Sequence, residues 1–456
     1  MTPVQTKRQR QKGTEKNHIN TPEGNMNTIV KHIQHICDIW KEEMKAISKD
    51  QGVLIFFVLV PLLYPLLYSW IYNNEVVREV PVVVVDHCNS HTSREFIRQC
   101  DASADVNVVS HATDMEQARM LMNRQKAKGI YHIPSDFEER LHKHQQATIH
   151  VYCDMGLMLY YKAVYQTATA VSQQINSRMI VAVAGNTTRH EDELTAAPLK
   201  VQEVGLFNPT GGYGNFILPG VLMLILQQTM VLGIGLAAGT ARERNSYGHL
   251  IPYRRRGYGL TALLAGKSLC YYMIYVVLSA YLLLLVPRFF HFVNLAGWRE
   301  LCAILLPYIP ACIFFGITVS CLIRYRENVL LLVVFMSVPL LFVSGVSWPQ
   351  SNIPWFWQSL SALFPSTFAI RAFVRANTMG ATVADIRTEC TALWIQLAFY
   401  LVVACGVYRF QMVTAHKNIL RRMQSIRRKR EVRKRIRRYQ SSKSSSSATG
   451  TPAIDN

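Results

Sequence analysis

The apolar positions of this 456-residue chain gather into six runs free of Asp, Glu, Lys, Arg and His: 51–72, 216–239, 268–286, 301–323, 329–346 and 391–408. A helix crosses a hydrocarbon core of about 30 Å with roughly 20 residues, and lipid offers no partner to an unpaired backbone group. Each run therefore predicts a transmembrane helix. Pro61 and Pro65 in the first run, and Pro307 and Pro310 in the fourth, predict kinks. Lys267 and Arg409 stand at run ends, where a long side chain can snorkel to the headgroups.

From Val80 the period changes. Val80 to Val85, Val106 to Val109, Gly129 to Ile133 and Thr148 to Tyr152 read as strands, separated by helices over Ser93 to Cys100, from near Thr113, and over Phe137 to His144. Thr113 with Glu116, and Ser135 with Glu138, have capping-box spacing. Strands alternating with amphipathic helices make a small α/β domain. Beyond Asp154, Leu157, Tyr161, Val164, Ala168, Val171, Ile175 and Met179 recur at helical spacing, so a long helix leads back to the membrane. Gly211, Gly212 and Gly214 loosen the chain before the second run. The fold class is an α-helical integral membrane protein with six transmembrane helices and an inserted extracytoplasmic α/β domain.

Charge sets the orientation. The net charge is +20, and Lys and Arg accumulate on the cytoplasmic side of a membrane protein. Nine lie in residues 1–50, six between the second and third runs, two between the fourth and fifth, and fourteen from Arg409 onward; the opposite short connections hold two and three. Both termini are expected in the cytoplasm. The segment 73–214, with 13 basic and 16 acidic residues, is expected outside, because large domains translocate largely regardless of charge. The division is a basic N-terminal segment (1–50), a first span (51–72), the α/β domain with its long helix (73–214), five further spans (215–409) and a basic, Ser-rich tail (410–456). Following a span, the Arg427–Arg438 cluster is expected to touch anionic lipid rather than nucleic acid.

Several passages in this order resemble the permease of a type-2 ABC exporter: VPVVVVDHCNSHTSREFIRQCDAS, YHIPSDFEERL from Tyr131, VYCDM from Val151, LFNPTGGYGNFILPGVL from Leu206, RERNSYGHLIPYRRRGYGLTALLAGKSL from Arg242, and VSGVSWPQSNIPWFWQSLSALFPSTFAIR from Val343. The resemblance covers about residues 30–410. It implies a dimer with an identical or paralogous permease, a separate ABC ATPase that binds ATP and Mg, and location in the inner membrane. It leaves room for a periplasmic adaptor and an outer-membrane channel. Within the stretch 240–266 it makes Arg242, Glu243, Arg244, Asn245, Ser246, Tyr247, Gly248, His249 and Leu250 the segment on which the ATPase pushes. The family commonly has a Glu-x-Gly-Thr-x-Glu run there, from which Asn245 to Leu250 depart.

The residues carry a parallel argument about energy. Ion-coupled carriers place ionisable groups inside their spans, and none lies in these six runs. Gly266, Lys267 and Ser268 imitate the end of a phosphate loop, but Thr261 stands where that motif needs Gly. A transporter built this way must take its power from another chain. No catalytic set converges, and no cofactor is expected on the chain itself. His87, Cys88 and His91, and the pair His142 and His144, lack metal-ligand spacing and read as surface or packing residues. Cys88, Cys100 and Cys153 could form one bridge at most. Trp348, Pro349, Trp355, Trp357 and Pro365, in the interrupted stretch 347–390, predict short interfacial or re-entrant helices on the outer face, and the resemblance favours the re-entrant form. The expected function is export of a hydrophobic, amphipathic or lipid-like substrate; the alternative is a non-transporting sensor or mechanotransmitter that uses the outer domain. Small-residue faces at Gly233 and Gly235 are expected to separate the two, since a transport path would not tolerate bulk there.

Overall fold

The computed structural model describes residues 22–411 except 144, 186–187, 198, 200–203, 209–210, 244–259 and 324. The basic tail and most of the stretch 240–266 fall outside these residues. A helix at Pro22–Lys49 precedes six helices long and apolar enough to span a membrane: Gln51–Ile71, Tyr213–Glu243, Leu260–Phe289, Trp298–Leu322, Arg326–Val343 and Arg387–Gln411. The six expected runs are all there. The third is longer than expected and takes Lys267 into its body.

The second span is the hub. Its apolar window is 83% buried, against 17% for the fifth span, because the first, fourth and fifth spans and the helix Pro365–Met379 all pack on it. Glycines allow the approach. A Cβ at Gly233 would lie 2.2 Å from the Phe57 ring, and one at Gly235 would lie 2.4 Å from Val329. Phe57 is itself fully buried, stacked on Tyr271 and edge-on to Tyr275, each at 5.6 Å. These glycines are packing contacts, so the expectation that bulk there would separate a transport path from a sensor fails: it would disturb either protein.

Proline shapes the spans in a way the kink rule only partly anticipates. Pro307 and Pro310 run through an unbroken helix. By contrast, π-helical stretches at Ile55–Leu59 and Tyr281–Leu285 each end just before a proline, Pro61 and Pro287. A proline ring clashes with the carbonyl four residues back, and a widened turn relieves the clash. Pro287 leaves the Leu283 carbonyl without its helical donor; Asn294 Nδ2 donates to it at 3.2 Å.

The α/β unit between the first two spans holds a four-stranded sheet in the order β2-β1-β3-β4, with β1 Val80–Asp86, β2 Val106–His111, β3 Gly129–Ile133 and β4 His150–Cys153. β1 pairs in parallel with β2 and β3, while β4 runs antiparallel to β3. The unbroken valine run of β1 follows from burial on both faces. Val80, Val82 and Val84 pack under helices His91–Asp101 and Met158–Ala184, and Val83 and Val85 pack with Ala118 of Met115–Asn123.

Asp86 ends β1 and builds the next turn: its carboxylate accepts from Cys88 N, Asn89 N and the Ser93 hydroxyl at 2.7–3.0 Å. Ser90 and Ser93 form a capping box. The two expected boxes are corrected. Asp114, not Thr113, caps the second helix, accepting from Gln117 N at 2.7 Å, while Gln117 Oε1 takes the Thr113 N–H. Asp136, not Ser135, precedes the third helix and makes no side-chain cap, its carboxylate accepting from Arg140 Nε at 2.6 Å, while Glu138 accepts from Thr92 at 3.1 Å.

All ten cysteines are free. Burial pushes the Cys100 thiol up to about 12, and thiolate is the reactive form. Cys100 is therefore expected to resist iodoacetamide at pH 8 until the α/β unit unfolds, while exposed Cys37 reacts at once; mass spectrometry of the labelled chain checks this. Gly235→Leu is expected to destabilise the bundle by about 1–3 kcal/mol through overpacking. Gly406→Ala, where nothing lies within 4 Å of the new methyl, should leave the thermal transition in detergent unchanged.

Candidate functional site

Two polar networks sit where the apolar bundle would otherwise expose backbone or charge. At one end of the bundle, Arg242 Nη1 at the end of the second span donates to the carbonyls of Ser320, at 2.7 Å, and Ile323. Gln411 Nε2 caps the neighbouring Cys321 carbonyl at 3.1 Å. These carbonyls close the fourth span, where a cation also meets the negative end of the helix dipole. The next residue does the converse: Glu243 Oε1 accepts from Arg326 N, the first residue of the fifth span, at 3.3 Å. Arg242 and Glu243 thus staple the second span to the turn joining the fourth and fifth. Arg244, Asn245, Ser246, Tyr247, Gly248, His249 and Leu250 lie outside the described residues.

At the same end, Lys267 is not a snorkelling residue. Its side chain is 9% exposed and pairs with Glu43 of the N-terminal helix at 3.1 Å, and the Tyr271 hydroxyl donates to the other Glu43 oxygen. The helix comes this close because Gly266 has no side chain; a Cβ there would lie 2.8 Å from Ile39. The reading of charge-free spans therefore needs correction. The sequence hid the pair because Lys267 stood at the edge of an apolar run and its partner lay outside every run.

The second network lies around the interrupted segment. After a short helix, Trp355–Ser361, the chain turns and enters the helix Pro365–Met379. The Ser366 N–H donates to Gln227 Oε1, in the middle of the second span, at 2.7 Å. At the other end, Asn377 Nδ2 donates to the Val293 carbonyl at 3.0 Å, and the Val293 N–H donates to Asn215 Oδ1 at 2.9 Å. Asn215 to Gln227 is twelve residues, so the helix starts about 18 Å along the second span from that end. The turn's carbonyls are all occupied: Ser361 by the Thr367 hydroxyl, Ala362 by Gln396 Nε2 at 2.6 Å, and Leu363 by the Tyr400 hydroxyl. Irregular backbone at such depth needs this satisfaction.

Trp348, Trp355 and Trp357 stay exposed, Trp355 at 78%. Pro349 opens the 3₁₀ turn Gln350–Asn352, and Pro365 begins the inner helix, where a missing N–H costs nothing. An open cleft of about 470 Å³ separates Leu66 and Trp70 of the first span from Phe289 and Phe290 of the third. Sequence reasoning missed Gln227, Gln396, Tyr400, Asn215 and Asn377. A lone glutamine within a run of apolar residues was the available signal, since a polar group in hydrocarbon needs a partner.

In the α/β unit, His87 does not meet His91. Its ring contacts His132, which stacks on His150, and His142 pairs with Glu138 at 3.5 Å; His144 lies outside the described residues. Burial, with the His87 and His150 rings beside it, holds His132 below its ordinary pKa. Among the described residues no three His, Cys, Asp or Glu side chains converge on a metal.

Six helices long and apolar enough to span a membrane, an inserted unit after the first, and an interrupted polar segment before the last define a multi-pass membrane protein. The family "ABC-2 family transporter protein" matches residues 52–405, and the chain belongs to it. The chain is also 22% identical over 379 residues to the linearmycin resistance permease protein LnrN of Bacillus subtilis (strain 168), covering 80% of this chain and 96% of that protein. It is thus the permease subunit of an ABC-2 transporter, and its family implies an ATPase component as partner.

Losing one member of a buried ion pair typically costs 3–5 kcal/mol, while replacing both with apolar residues is often neutral. Lys267→Met and Glu43→Met are each expected to lower the unfolding temperature sharply, and the double variant to recover most of the loss. Thermal unfolding of the four proteins in detergent checks this cycle.

Proposed function

We propose that this permease exports an amphipathic or lipid-like substrate, working as a dimer with a second copy or a paralogue and driven by a separate ATPase that holds ATP and Mg. In this reading both termini and the Arg242 end lie in the cytoplasm of a cell whose inner membrane holds the protein, and the α/β unit lies outside. The Arg242 to Leu250 segment receives the ATPase's push. The interrupted segment with Trp348, Trp355 and Trp357 is a re-entrant hairpin at the outer leaflet.

The observation that carries the reading is the staple of Arg242 and Glu243. Two consecutive residues, at the start of the segment assigned to the ATPase, grip the ends of two further spans. A displacement applied just beyond them moves the second, fourth and fifth spans as one body. The charge of Lys267 does not supply an ion-coupling site, since Glu43 already neutralises it. A cleft lined mainly by aromatic and apolar side chains suits a substrate with an apolar body, and a relative named for resistance suits removal of a compound from the cell.

The test reconstitutes the permease with its ATPase in vesicles and follows nucleotide-dependent movement of a fluorescent amphiphile. Movement that needs both chains supports the reading; movement by the permease alone under a proton or sodium gradient sinks it. Arg242→Ala removes two charged hydrogen bonds worth about 1.5–3 kcal/mol each. It is expected to reduce transport per ATP hydrolysed by roughly tenfold or more while the ATPase still binds. Unchanged transport per ATP would dismiss the staple as a coupling device.

A further inference from the structure

Arg371 is a charge inside the bundle with no acid of its own. It lies on the helix Pro365–Met379, which begins against Gln227 in the middle of the second span and ends where Asn377 reaches Val293, itself bonded to Asn215. Arg371 comes six residues before Asn377, so it stands about 9 Å inward of that end. A charge at such depth is unfavourable, and it is ordinarily paired or kept for a function. Arg375, one turn further on, is paired: its Nη1 meets Glu389 at 2.7 Å. The other Glu389 oxygen takes the Thr388 hydroxyl at 2.7 Å, so both oxygens of that carboxylate are engaged.

Arg371 makes one hydrogen bond. Its Nε donates to the Ser344 carbonyl at 3.0 Å, where the fifth span ends, and its guanidinium carbon lies 5.9 Å from the centre of the Phe368 ring. Neither terminal nitrogen has a hydrogen-bond partner among the described residues, and Nη2 is buried. Capping the fifth span therefore uses only one edge of the guanidinium fork and leaves the donors of the other unspent. The helix turns its closed side, with Ala369, Ile370, Ala372 and Phe373, into the bundle, whereas Phe368, Arg371 and Arg375 follow one another along its half-buried side. Gly345, in the left-handed region at φ 93°, passes beside Nε and brings no side chain over it.

We propose that Arg371 receives the acidic headgroup of an amphiphile, a phosphate or carboxylate whose oxygens take the unspent terminal nitrogens. A planar fork matches either group, and hydrogen bonds between two charged partners are the strong ones. Depth selects an amphiphile over a free anion. Water does not reach Nη2, and a hydrated ion would have to shed its shell to do so. An amphiphile brings only its headgroup and keeps its chains in apolar surroundings, with the Phe368 ring alongside. The headgroup then supplies the counter-charge that Glu389 gives to Arg375. The binding claim concerns this side chain alone and stands whether or not the bound molecule is moved across the membrane.

The experiment measures binding of fluorescent phosphatidic acid, and of fluorescent diacylglycerol with the same chains, to the full chain in detergent. Salt at about 0.5 M screens the exposed basic residues, the tail included. The acidic probe is expected to bind roughly tenfold or more tighter than the neutral one. Arg371→Gln, which keeps a donor for the Ser344 carbonyl, should bring the two affinities together, while exposed Arg387→Gln leaves them apart. Equal affinity of Arg371→Gln and the unaltered chain for the acidic probe, or an equal loss in Arg387→Gln, overturns the proposal, as does displacement of the probe by inorganic phosphate. A second measurement needs no variant: dodecyl phosphate should raise the thermal transition of the unaltered chain more than dodecanol does, and equal shifts overturn the proposal. Vesicles holding the ATPase then separate the sources. Nucleotide-dependent movement of the acidic probe marks transported cargo, and binding without movement marks a resident lipid; both support the site at Arg371.

Discussion

Hydrocarbon cannot hydrogen-bond, and this one fact organises the protein. Every N–H and C=O at depth must find a partner inside the chain, at a cost of several kcal/mol for each that does not. Regular helix meets the demand over most of the six spans. The informative places are those where helix geometry fails. Pro287 strands the Leu283 carbonyl, and Asn294 answers it. The turn at Ser361 to Phe364 strands the Ala362 and Leu363 carbonyls, and Gln396 and Tyr400 answer them. The fourth span ends, and Arg242 and Gln411 close it. At each of these places a polar side chain meets a backbone group that the helix leaves open.

The same logic connects packing to motion. Glycines at 233 and 235 let the first and fifth spans approach the second closely, and Arg242 and Glu243 lock its end to the fourth and fifth. These contacts tie the second, fourth and fifth spans together at one end. The first, fifth and sixth spans leave most of their own surface outside the bundle. A π-helical turn before Pro61 makes the first span locally wider where its Phe57 meets Gly233, so this partner of the hub is irregular at the point of contact.

The spans and the strands were legible because their signals are local. A run without charge and a valine repeat each carry their own period, and all six spans and four strands lie where those periods point. What stayed hidden depends on distance across the fold. Glu138 has the spacing of a cap, yet its tertiary partner Thr92 outcompetes the local role. Lys267 looks like a residue at a membrane edge until Glu43, over two hundred positions earlier, is brought against it. Gln227 looks like a tolerated polar residue until the N-terminus of a second helix is found on its amide. His87 has a nearby neighbour in sequence, His91, but its neighbours in space are His132 and His150, joined to it only by strand pairing.

The contact between Glu43 and Lys267 has a consequence for biosynthesis. Residue 43 leaves the ribosome long before residue 267, so the carboxylate is in place when the third span enters the bilayer. The ammonium need never rest unaccompanied in lipid. A helix that is not among the six candidate spans thereby supplies the counter-charge for one that is, and the order of synthesis matches the order in which the charges must be neutralised.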